Sequence, residues 1–349
     1  MKVASLKGPR QFELKEVADP DVPADGLLLQ VKACGICGSD IRRWKEGPLK
    51  GSGEVIPGHE AAGVVIKTGP LCSDFSVGDR LAIAPDIHCG KCYYCQHELY
   101  NLCDNIKLLG ITPGYSGGFA EKMVITKEII DYGIVNRIPS ELSYEHAAVS
   151  EPCSSVLATH DKAGTKIGQT VVIIGAGPIG CLHVSVAKYN KAKTIICEQN
   201  KKRQELAGIF EPDFIIDSSS CDPVSEVRKA TDGIGADIVI CANPVAATQQ
   251  QGVEMVRKGG KVMLFGGLPK ADPMTHLDGN RIHYGEIEVI GTFSYHPKAH
   301  KKALEYLEQG ILPAEKLITH KMPLEKISEG YEIASSGQAL KVIITIEEK

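Results

Sequence analysis

The most constraining feature of this 349-residue sequence is a glycine-rich turn between a strand pattern and a helix pattern. Residues 170–174 form an apolar strand-like run, and Gly175, Gly177 and Gly180 follow at GxGxxG spacing before a helical pattern. The first glycine permits a tight turn, the second lets a pyrophosphate approach the backbone, and the third permits close helix–strand packing. This succession of strand, turn and helix predicts a dinucleotide-binding site.

An acidic residue at the end of the next strand indicates which dinucleotide is bound. Glu198 ends the strand pattern at 193–197, where a carboxylate accepts hydrogen bonds from the adenosine ribose and repels a 2′-phosphate. This placement favours NAD over NADP. Lys201, Lys202 and Arg203 lie close by in the sequence and could tolerate a phosphate, so NADP remains the alternative.

Strand and helix patterns alternate on both sides of this strand. Further strands are predicted at residues 214–217, 237–241 and 261–265, with helical patterns between them. Such alternation is typical of right-handed βαβ units around a parallel sheet that is buried on both faces. The sequence therefore predicts the α/β class, with a doubly wound parallel-sheet (Rossmann) cofactor domain.

The first 150 residues have short β-rich runs between Gly and Pro turns, and they lack long helical patterns. These runs predict a small barrel or partly open sandwich, with strands at 3–7, 12–17, 27–33, 61–68, 80–84 and 119–126. The end of the chain predicts a strand at 288–295, helices at 297–309 and 324–335 with an apolar loop between them, and a strand at 341–346. That terminal strand could complete the sheet of the first domain.

The chain is longer than one hydrophobic core usually serves, which favours two domains. We expect a β-rich, zinc-binding catalytic domain at residues 1–153, to which residues 293–349 return. The Rossmann domain is expected at residues 154–292.

Four of the 12 cysteines share one compact spacing, Cys-x2-Cys-x2-Cys-x7-Cys. Four thiolates on a short loop can close a tetrahedron around zinc and leave no open position, so Cys89, Cys92, Cys95 and Cys103 predict a structural zinc site. An iron–sulfur cluster is the competing interpretation, but the run lacks the Cys-Pro that ends the bacterial cluster motif. The cysteines at 181, 197 and 241 lie in or beside apolar segments and are expected to be buried.

Two short segments carry the residue types of a catalytic metal site. Residues 34–40 contain Cys37, and residues 57–63 contain His59. A cysteine and a histidine from separate segments, each beside glycine, suit a catalytic zinc that keeps an open coordination position.

Taken in this order, these segments, the cysteine run and the GxGxxG turn resemble the zinc-containing medium-chain dehydrogenase/reductase superfamily over essentially the whole chain. Glu151-Pro152 resembles its sorbitol (iditol) dehydrogenase branch, and residues 265–270 with 282–284 are similar to bacterial iditol-dehydrogenase-like proteins. The resemblance implies a GroES-like catalytic domain. It also implies a zinc-dependent enzyme that moves a hydride from a secondary alcohol of a polyol to NAD, giving a ketose.

The resemblance also implies roles for individual residues and two zinc ions per chain. Cys37, His59 and Glu60 match catalytic zinc ligands, Glu151 matches a glutamate that approaches the zinc directly or through water, and Ser39 matches the hydroxyl that relays the substrate proton. The implied cofactor contacts are Gly175, Gly177, Pro178, Ile179, Gly180, Glu198, Arg203, Phe265, Gly266, Gly267, Phe293, Ser294 and Tyr295.

Several residues admit a second interpretation. Cys153 could replace Glu151 as a ligand, and Cys34 could form a redox pair with Cys37 instead of packing in the core. Sorbitol dehydrogenases usually carry a histidine three residues after the relay serine, where this chain has Arg42 followed by Arg43. Either these arginines are solvated, or one meets a phosphate or carboxylate of the substrate.

Composition excludes several other classes. A net charge of −4 provides no field for nucleic acid, and no apolar run approaches the length of a membrane span. We expect a cytoplasmic homo-oligomer, a tetramer or a dimer, that acts on a small molecule. A zinc-free quinone or enoyl reductase would need none of the metal ligands, and a non-catalytic relative is expected to have lost one. Polyol-phosphate, sugar-acid and L-threonine 3-dehydrogenases remain the alternatives.

Overall fold

Two sheets organise the part of the chain that the computed structural model describes, residues 1–48 and 55–347. Tertiary contacts divide the chain into two compact units. Unit 1 comprises residues 1–154, 295–310 and 318–349, and unit 2 comprises residues 155–294 and 311–317. Residues 49–54 and 348–349, which belong to the predicted catalytic domain, lie outside the described residues.

The strands are numbered in the order in which they occur along the chain. They are β1 (Lys2–Gly8), β2 (Gln11–Glu16), β3 (Leu27–Gly35), β4 (Glu60–Thr68), β5 (Arg80–Ala84), β6 (Asp86–Ile87), β7 (Lys107–Leu108), β8 (Lys122–Ile125), β9 (Ile134–Arg137), β10 (Thr170–Ile174), β11 (Lys193–Glu198), β12 (Phe214–Asp217), β13 (Ala236–Cys241), β14 (Val256–Leu264), β15 (Glu288–Gly291), β16 (Ile318–Pro323) and β17 (Lys341–Thr345).

The helices follow the same order. They are α1 (Gly38–Glu46), α2 (Tyr93–Gln96), α3 (Lys127–Tyr132), α4 (Tyr144–Ala148), α5 (Ser150–Ala163), α6 (Pro178–Tyr189), α7 (Lys201–Gly208), α8 (Pro223–Ala230), α9 (Ala246–Met255), α10 (Gly279–Gly285), α11 (Lys298–Glu308), α12 (Ala314–Leu317) and α13 (Ile327–Ser335). None of the described helices is both long and apolar enough to cross a bilayer.

Unit 2 contains a six-stranded parallel sheet in the order β12-β11-β10-β13-β14-β15. Its central strand β10 pairs with β11 and β13, so that Val172 lies opposite Ile195 and Val239. All three side chains are fully buried, which accounts for the uninterrupted apolar runs in the sequence. Successive strands are added on one side of β10 as far as β12 and then on its other side from β13 to β15. This strand order is that of the Rossmann fold, and the predicted doubly wound class is confirmed.

Unit 1 contains a seven-stranded sheet in the order β16-β17-β3-β4-β5-β9, with β8 paired to β3. The terminal strand β17 runs antiparallel to β3 and places Ile344 opposite Cys34, so it completes this sheet as the sequence predicted. The sheet packs over a core that includes Leu27, Ile83 and Val342. Cys34 is fully buried in that core, which confirms its interpretation as a packing residue.

The structure corrects the sequence-based elements at several places. Helix α1, for example, forms in a region where only strands were predicted, because Ile41 and Trp44 are its only large apolar residues and two positions are too few to establish a helical period. Strand β16 lies in the stretch predicted to be a loop. The strand predicted at residues 288–295 ends at Gly291, and Ser294 adopts a left-handed conformation with φ 49° that no strand continues.

Candidate functional sites

The first candidate metal site is the cysteine lobe, formed by Cys89, Cys92, Cys95 and Cys103. Their sulfur atoms all lie within 4.8 Å of one another, and the Cys92 and Cys95 sulfurs are 3.5 Å apart. Backbone N–H groups of Cys89 and Asn105 donate to the Cys103 sulfur at 3.3 and 3.4 Å. Four converging sulfurs that already accept backbone hydrogen bonds fit a tetrahedral zinc ion.

The thiols of the lobe differ in acidity. A hydrogen bond from the backbone N–H of Lys91 lowers the pKa of Cys89 to about 6, whereas burial raises the pKa of Cys95 to about 12. Zinc binds thiolates, so a bound ion would replace the remaining thiol protons. The negative charge of the resulting thiolates would be balanced by the divalent cation.

The second candidate is the mixed site, formed by Cys37, His59 and Glu60, whose ligand atoms also lie within 4.8 Å of one another. Cys37 immediately precedes α1, and His59 and Glu60 lie at the start of β4. Gly35 lies opposite Glu60 in the β3–β4 register, and a Cβ on it would come 1.9 Å from a Glu60 carboxylate oxygen. A glycine at this position makes room for the carboxylate.

His59 is oriented by a buried aspartate that the sequence analysis did not single out. Asp40 lies in the first turn of α1, and its carboxylate accepts from the Cys37 backbone N–H at 3.0 Å and lies 3.2 Å from Nδ1 of His59. A carboxylate at Nδ1 leaves Nε2 to face a metal. Burial lowers the pKa of His59, but the charges of Asp40 and Cys37 raise it well above its usual range. The site therefore favours a positive charge at this ring.

Glu60 is held by a second buried residue that the sequence analysis missed. Nζ of Lys341, on β17, donates to both carboxylate oxygens of Glu60 at 2.7 and 2.8 Å and to the backbone carbonyl of Ile36 at 3.1 Å. The side chains of Lys341 and Glu60 are 3% and 0% exposed. The only sequence signal was a lysine at the start of a β-branched strand.

Glu151 lies in the same unit but outside the 4.8 Å ligand group of the mixed site. The hydroxyl of Tyr295 donates to its carboxylate at 3.2 Å. Burial raises the pKa of Glu151 to about 7, with His59 opposing the rise and Glu60 adding to it. Tyr295, which the resemblance implies as a cofactor contact, is the donor of this hydrogen bond.

A buried hydrogen-bonded chain holds the residue before Glu151. Nδ2 of Asn136 is 3.0 Å from Nδ1 of His300, whose Nε2 is 2.8 Å from Oγ of Ser150. Because an amide NH2 can only donate, Nδ1 accepts, Nε2 carries the proton, and Ser150 donates onward to the Ala147 carbonyl. Burial lowers the pKa of His300 to about 3, which keeps this neutral tautomer. The chain fixes the start of α5, where Glu151 lies.

The other residues predicted near the mixed site take up varied positions. Oγ of Ser39 lies 3.5 Å from Nε2 of His59. Cys153 is fully buried, which raises the pKa of its thiol, and it is outside the ligand group. Arg42 is exposed and Arg43 is half-buried on α1, and within the described ranges neither forms an ion pair.

In unit 2 the glycine turn has the geometry expected for a nucleotide site. Gly175 has φ 108°, and a Cβ on Gly180 would come 1.9 Å from the Gly175 carbonyl oxygen, so neither position accepts a larger residue. Gly177 caps α6, and a Cβ there would meet no atom within 4 Å. Pro178 and Ile179 begin the helix behind it. An open backbone at a helix N-terminus fits a pyrophosphate.

Glu198 is fixed at the edge of this turn. Its carboxylate accepts backbone N–H groups of Ala176 at 2.8 Å, Gln199 at 2.9 Å and Asn200 at 2.8 Å. Lys201 forms an ion pair with Asp217, and Lys202 forms one with Glu205. Nε of Arg203 is buried without a hydrogen-bond partner among the described atoms.

The remaining predicted cofactor residues lie at the carboxyl ends of β14 and β15. A Cβ on Gly266 would come 2.1 Å from the Asn243 carbonyl oxygen, and Gly267 faces open space. Phe265 packs edge-on against His183 with ring centroids 5.0 Å apart. Phe293 is 61% exposed and is followed by Ser294.

The sequence of the chain matches two known protein families and a relative of known name. Residues 23–140 match the family model of the alcohol dehydrogenase GroES-like domain, and residues 178–309 match that of zinc-binding dehydrogenases. Sorbitol dehydrogenase of Bacillus subtilis (strain 168) is 33% identical over 99% of this chain and 97% of its own.

Other relatives act on different substrates by name. D-arabitol-phosphate dehydrogenase of Enterococcus avium is 32% identical over 99% of this chain and 97% of its own. L-threonine 3-dehydrogenase of Thermococcus kodakarensis is 31% identical over 94% of this chain and 93% of its own. A solved structure from Sinorhizobium meliloti 1021, described as a zinc-binding dehydrogenase bound to NADP, is 29% identical with a TM-score of 0.89 and covers 99% of this chain and 98% of that one.

The two family models fall on the two halves of the architecture, one on the β-rich unit and the other on the parallel-sheet unit. The relatives match along nearly the whole chain, and the cysteine lobe and the mixed site supply the ligand types of zinc enzymes. The chain therefore belongs to the zinc-containing medium-chain dehydrogenases, in the group that resembles sorbitol dehydrogenase.

Proposed function

We propose that the protein is a polyol dehydrogenase that oxidises a secondary alcohol of a sugar alcohol to a ketose with NAD. The observation that carries this proposal is the presence of two carboxylates at and beside the mixed site: Glu60 accompanies one thiol and one imidazole, and Glu151 interacts electrostatically with His59 and Glu60. Carboxylates make a harder and more hydrated metal site than thiolates do, which suits a substrate that offers two hydroxyl oxygens. Sorbitol dehydrogenases among the relatives support the same substrate class.

Each group of the site has a proposed task. Bound zinc would supply a Lewis acid for the hydroxyl oxygen, and bound NAD would supply the hydride acceptor. Cys37 and His59 would hold the metal, with Asp40 orienting the imidazole and Lys341 positioning the side chain of Glu60. Ser39, beside His59, would take the hydroxyl proton and pass it on.

Glu151 would serve the site as a carboxylate that Tyr295 positions. Its pKa of about 7, a consequence of burial, lets it hold or release a proton near neutral pH. The hydroxyl of Tyr295 donates to one of its oxygens and leaves the other free for a metal, a water or a substrate hydroxyl.

NAD preference rests on Glu198. Its carboxylate is held by three backbone N–H groups at the edge of the turn, and two of the three cations that follow it, Lys201 and Lys202, form ion pairs with Asp217 and Glu205. Glu198→Ser should raise kcat/KM with NADP relative to NAD by about tenfold, because a repulsive charge is lost. Glu254→Ser, which removes an exposed glutamate from α9 of the same unit, is the control, and a wild-type enzyme that prefers NADP would contradict this assignment.

A phosphorylated polyol is the second candidate substrate. Arg42 and Arg43 lie three and four residues after Ser39 on α1, and D-arabitol-phosphate dehydrogenase is among the relatives. The decisive experiment is an assay of reduced-cofactor absorbance with sorbitol, xylitol, arabitol, arabitol phosphate, a sugar acid and L-threonine, each with NAD and with NADP. Highest kcat/KM on a neutral polyol supports the proposal, and highest kcat/KM on L-threonine or on an anion overturns it.

We also infer a cytoplasmic homo-oligomer, a tetramer or a dimer. All 12 cysteines are free, as expected in a reducing compartment. Strand β15 is an edge of the unit 2 sheet, and Tyr284 and Phe293 near it are 76% and 61% exposed. Edges and apolar patches of this kind are often covered by a second copy. Light scattering that gives the monomer mass would contradict the assembly, and cell fractionation tests the compartment.

A further inference from the structure

Unit 2 contains a cavity of about 480 Å³ at the amino ends of strands β13 and β14. Arg228 at the end of α8 lines it, as do Arg257 and Lys258 in β14, and Arg281 and Tyr284 in α10. The glycine turn follows the carboxyl end of β10, and carboxyl and amino ends of parallel strands lie at opposite edges of a sheet. This basic cavity is therefore separate from the proposed nucleotide site.

The basic cavity carries more positive charge than its surroundings neutralise. Four of the ten residues that line it are cationic, and none is acidic. Arg257 forms an ion pair with Asp237 at 2.8 Å. For Arg228, Lys258 and Arg281, no carboxylate partner occurs in the described part of the chain. Burial and the neighbouring charge of Arg281 both lower the pKa of Arg228, as expected for two cations held close together.

Backbone carbonyl groups hold two of these cations in place. Arg228 donates to four carbonyl oxygens, those of Gly233 at 3.2 Å, Ile234 at 2.7 Å, Glu254 at 2.6 Å and Val256 at 3.1 Å. Arg281 donates through Nε and Nη2 to those of Val253 and Glu254, both at 2.7 Å, and its Nη1 makes no hydrogen bond in the described structure. Arg228 therefore contributes positive charge to the cavity, and Arg281 keeps N–H groups that can donate to a ligand.

The rest of the lining is apolar. Ile234 and Tyr284 are 65% and 76% exposed at the cavity, and Val256 and Ile287 are buried beneath it. The volume lies within the range of small-molecule sites. Guanidinium groups suit phosphate oxygens, and an exposed phenol ring can cover the flat face of an organic group.

We propose that the basic cavity binds a small organic phosphate monoester, at a site distinct from the zinc and nucleotide sites. The phosphate would lie between Lys258 and Arg281, with the positive charge of Arg228 beside it, and the organic part would lie against Tyr284 and Ile234. Such binding does not depend on the proposed dehydrogenase activity, because every residue involved belongs to unit 2, whereas the metal ligands belong to unit 1.

The test is calorimetric titration of the metal-loaded protein with phenyl phosphate, in saturating NAD so that the nucleotide site is filled. Lys258→Met is the key variant, because its side chain makes no hydrogen bond in the described structure and its loss should not affect folding. We expect phenyl phosphate to bind, phenol not to bind, and Lys258→Met to weaken binding at least about tenfold. Lys301→Met on α11 of unit 1 is the matched control and should leave binding unchanged.

Three results would overturn the proposal. Phenyl phosphate could fail to bind when NAD is saturating, or it could bind to Lys258→Met and to Tyr284→Ala as it binds to the parent. Alternatively, Lys258→Met could change the mass measured by light scattering, which would make the cavity a contact between copies of this chain. Arg281→Met is a further probe, with its melting temperature measured because this arginine also caps α9.

Discussion

The cysteine lobe takes all four ligands from residues 89–103, whereas the mixed site takes Cys37, His59 and Glu60 from two segments and depends on Lys341 from the last strand. In the lobe the sulfur atoms contact one another and neighbouring backbone N–H groups. In the mixed site His59 and Glu60 each have a buried, oppositely charged partner. The cysteine lobe is thus formed by one short segment, whereas the mixed site requires residues from distant segments of unit 1.

This difference predicts how each site responds to change. Loss of a ligand in the lobe affects one loop and its metal, because every ligand and hydrogen bond there is local. A change at the mixed site leaves a buried charge without its partner, and such charges are costly in a low-dielectric interior. Four predictions test this comparison, from the largest expected effect to the smallest.

The first prediction separates the two metal sites. Cys37→Ser should remove the mixed-site zinc and lower activity to below about 1% of the parent, because the thiolate ligand is lost. Cys92→Ser should instead remove the lobe zinc and lower the melting temperature. Metal analysis should give two zinc ions per parent chain and one per chain of either variant. Two zinc ions in Cys37→Ser would contradict the ligand assignment.

Chelation sharpens the same comparison without mutation. A mild chelator should release the mixed-site zinc first and abolish activity while the lobe keeps its ion, because the lobe offers no open coordination position. Added zinc should then restore activity. Simultaneous loss of both ions would mean that the two sites are equally labile.

The second prediction concerns the ion pair between Lys341 and Glu60. Lys341→Met should lower the free energy of unfolding by about 3–5 kcal/mol, because it leaves the Glu60 carboxylate buried and unpaired. Urea denaturation measures this loss. Lys341→Arg is the control that keeps the charge, and Glu60→Gln combined with Lys341→Met should recover part of the stability. A stable Lys341→Met protein would show that Glu60 has another partner.

The third prediction concerns the carboxylate behind His59. Asp40→Asn keeps the shape of the side chain but removes the charge, and it should weaken zinc at the mixed site by about 10- to 100-fold. Competition with a chromophoric chelator measures that affinity. The lobe zinc should stay bound in the same sample, which provides an internal control. Equal weakening at both sites would indicate a general loss of folding.

The smallest effects are expected at Arg42 and Arg43. With a neutral polyol, Arg42→Ala and Arg43→Ala should each change kcat/KM by only a few-fold, because a fixed positive charge adds little to the binding of an uncharged substrate. With an anionic substrate, one of the two should cost about 10- to 100-fold, and added salt should weaken binding. Steady-state kinetics at two ionic strengths distinguishes the cases and shows whether the surroundings of the mixed site recognise charge.

Sequence reasoning predicted the local parts of this molecule well. Strand β5 and strand β12 have the predicted bounds, and the cysteines at 181, 197 and 241 are buried as expected. Helix α1 was missed because it has only nine residues, and its two large apolar side chains, Ile41 and Trp44, are too few to establish a helical period. Strand β16 was missed because it forms by pairing with β17, and this contact cannot be predicted from the residues of β16 alone.

By itself, the sequence determined the features whose residues are close along the chain. The glycine turn follows its strand directly, and the four thiols of the lobe converge, because spacing over a few residues sets local backbone geometry. Only the tertiary structure decided which residues hold the mixed site. Lys341 reaches Glu60 across 281 residues of sequence because β17 pairs with β3, and β3 pairs with β4. Strand pairing of this kind depends on the packing of the whole sheet, which no short pattern encodes.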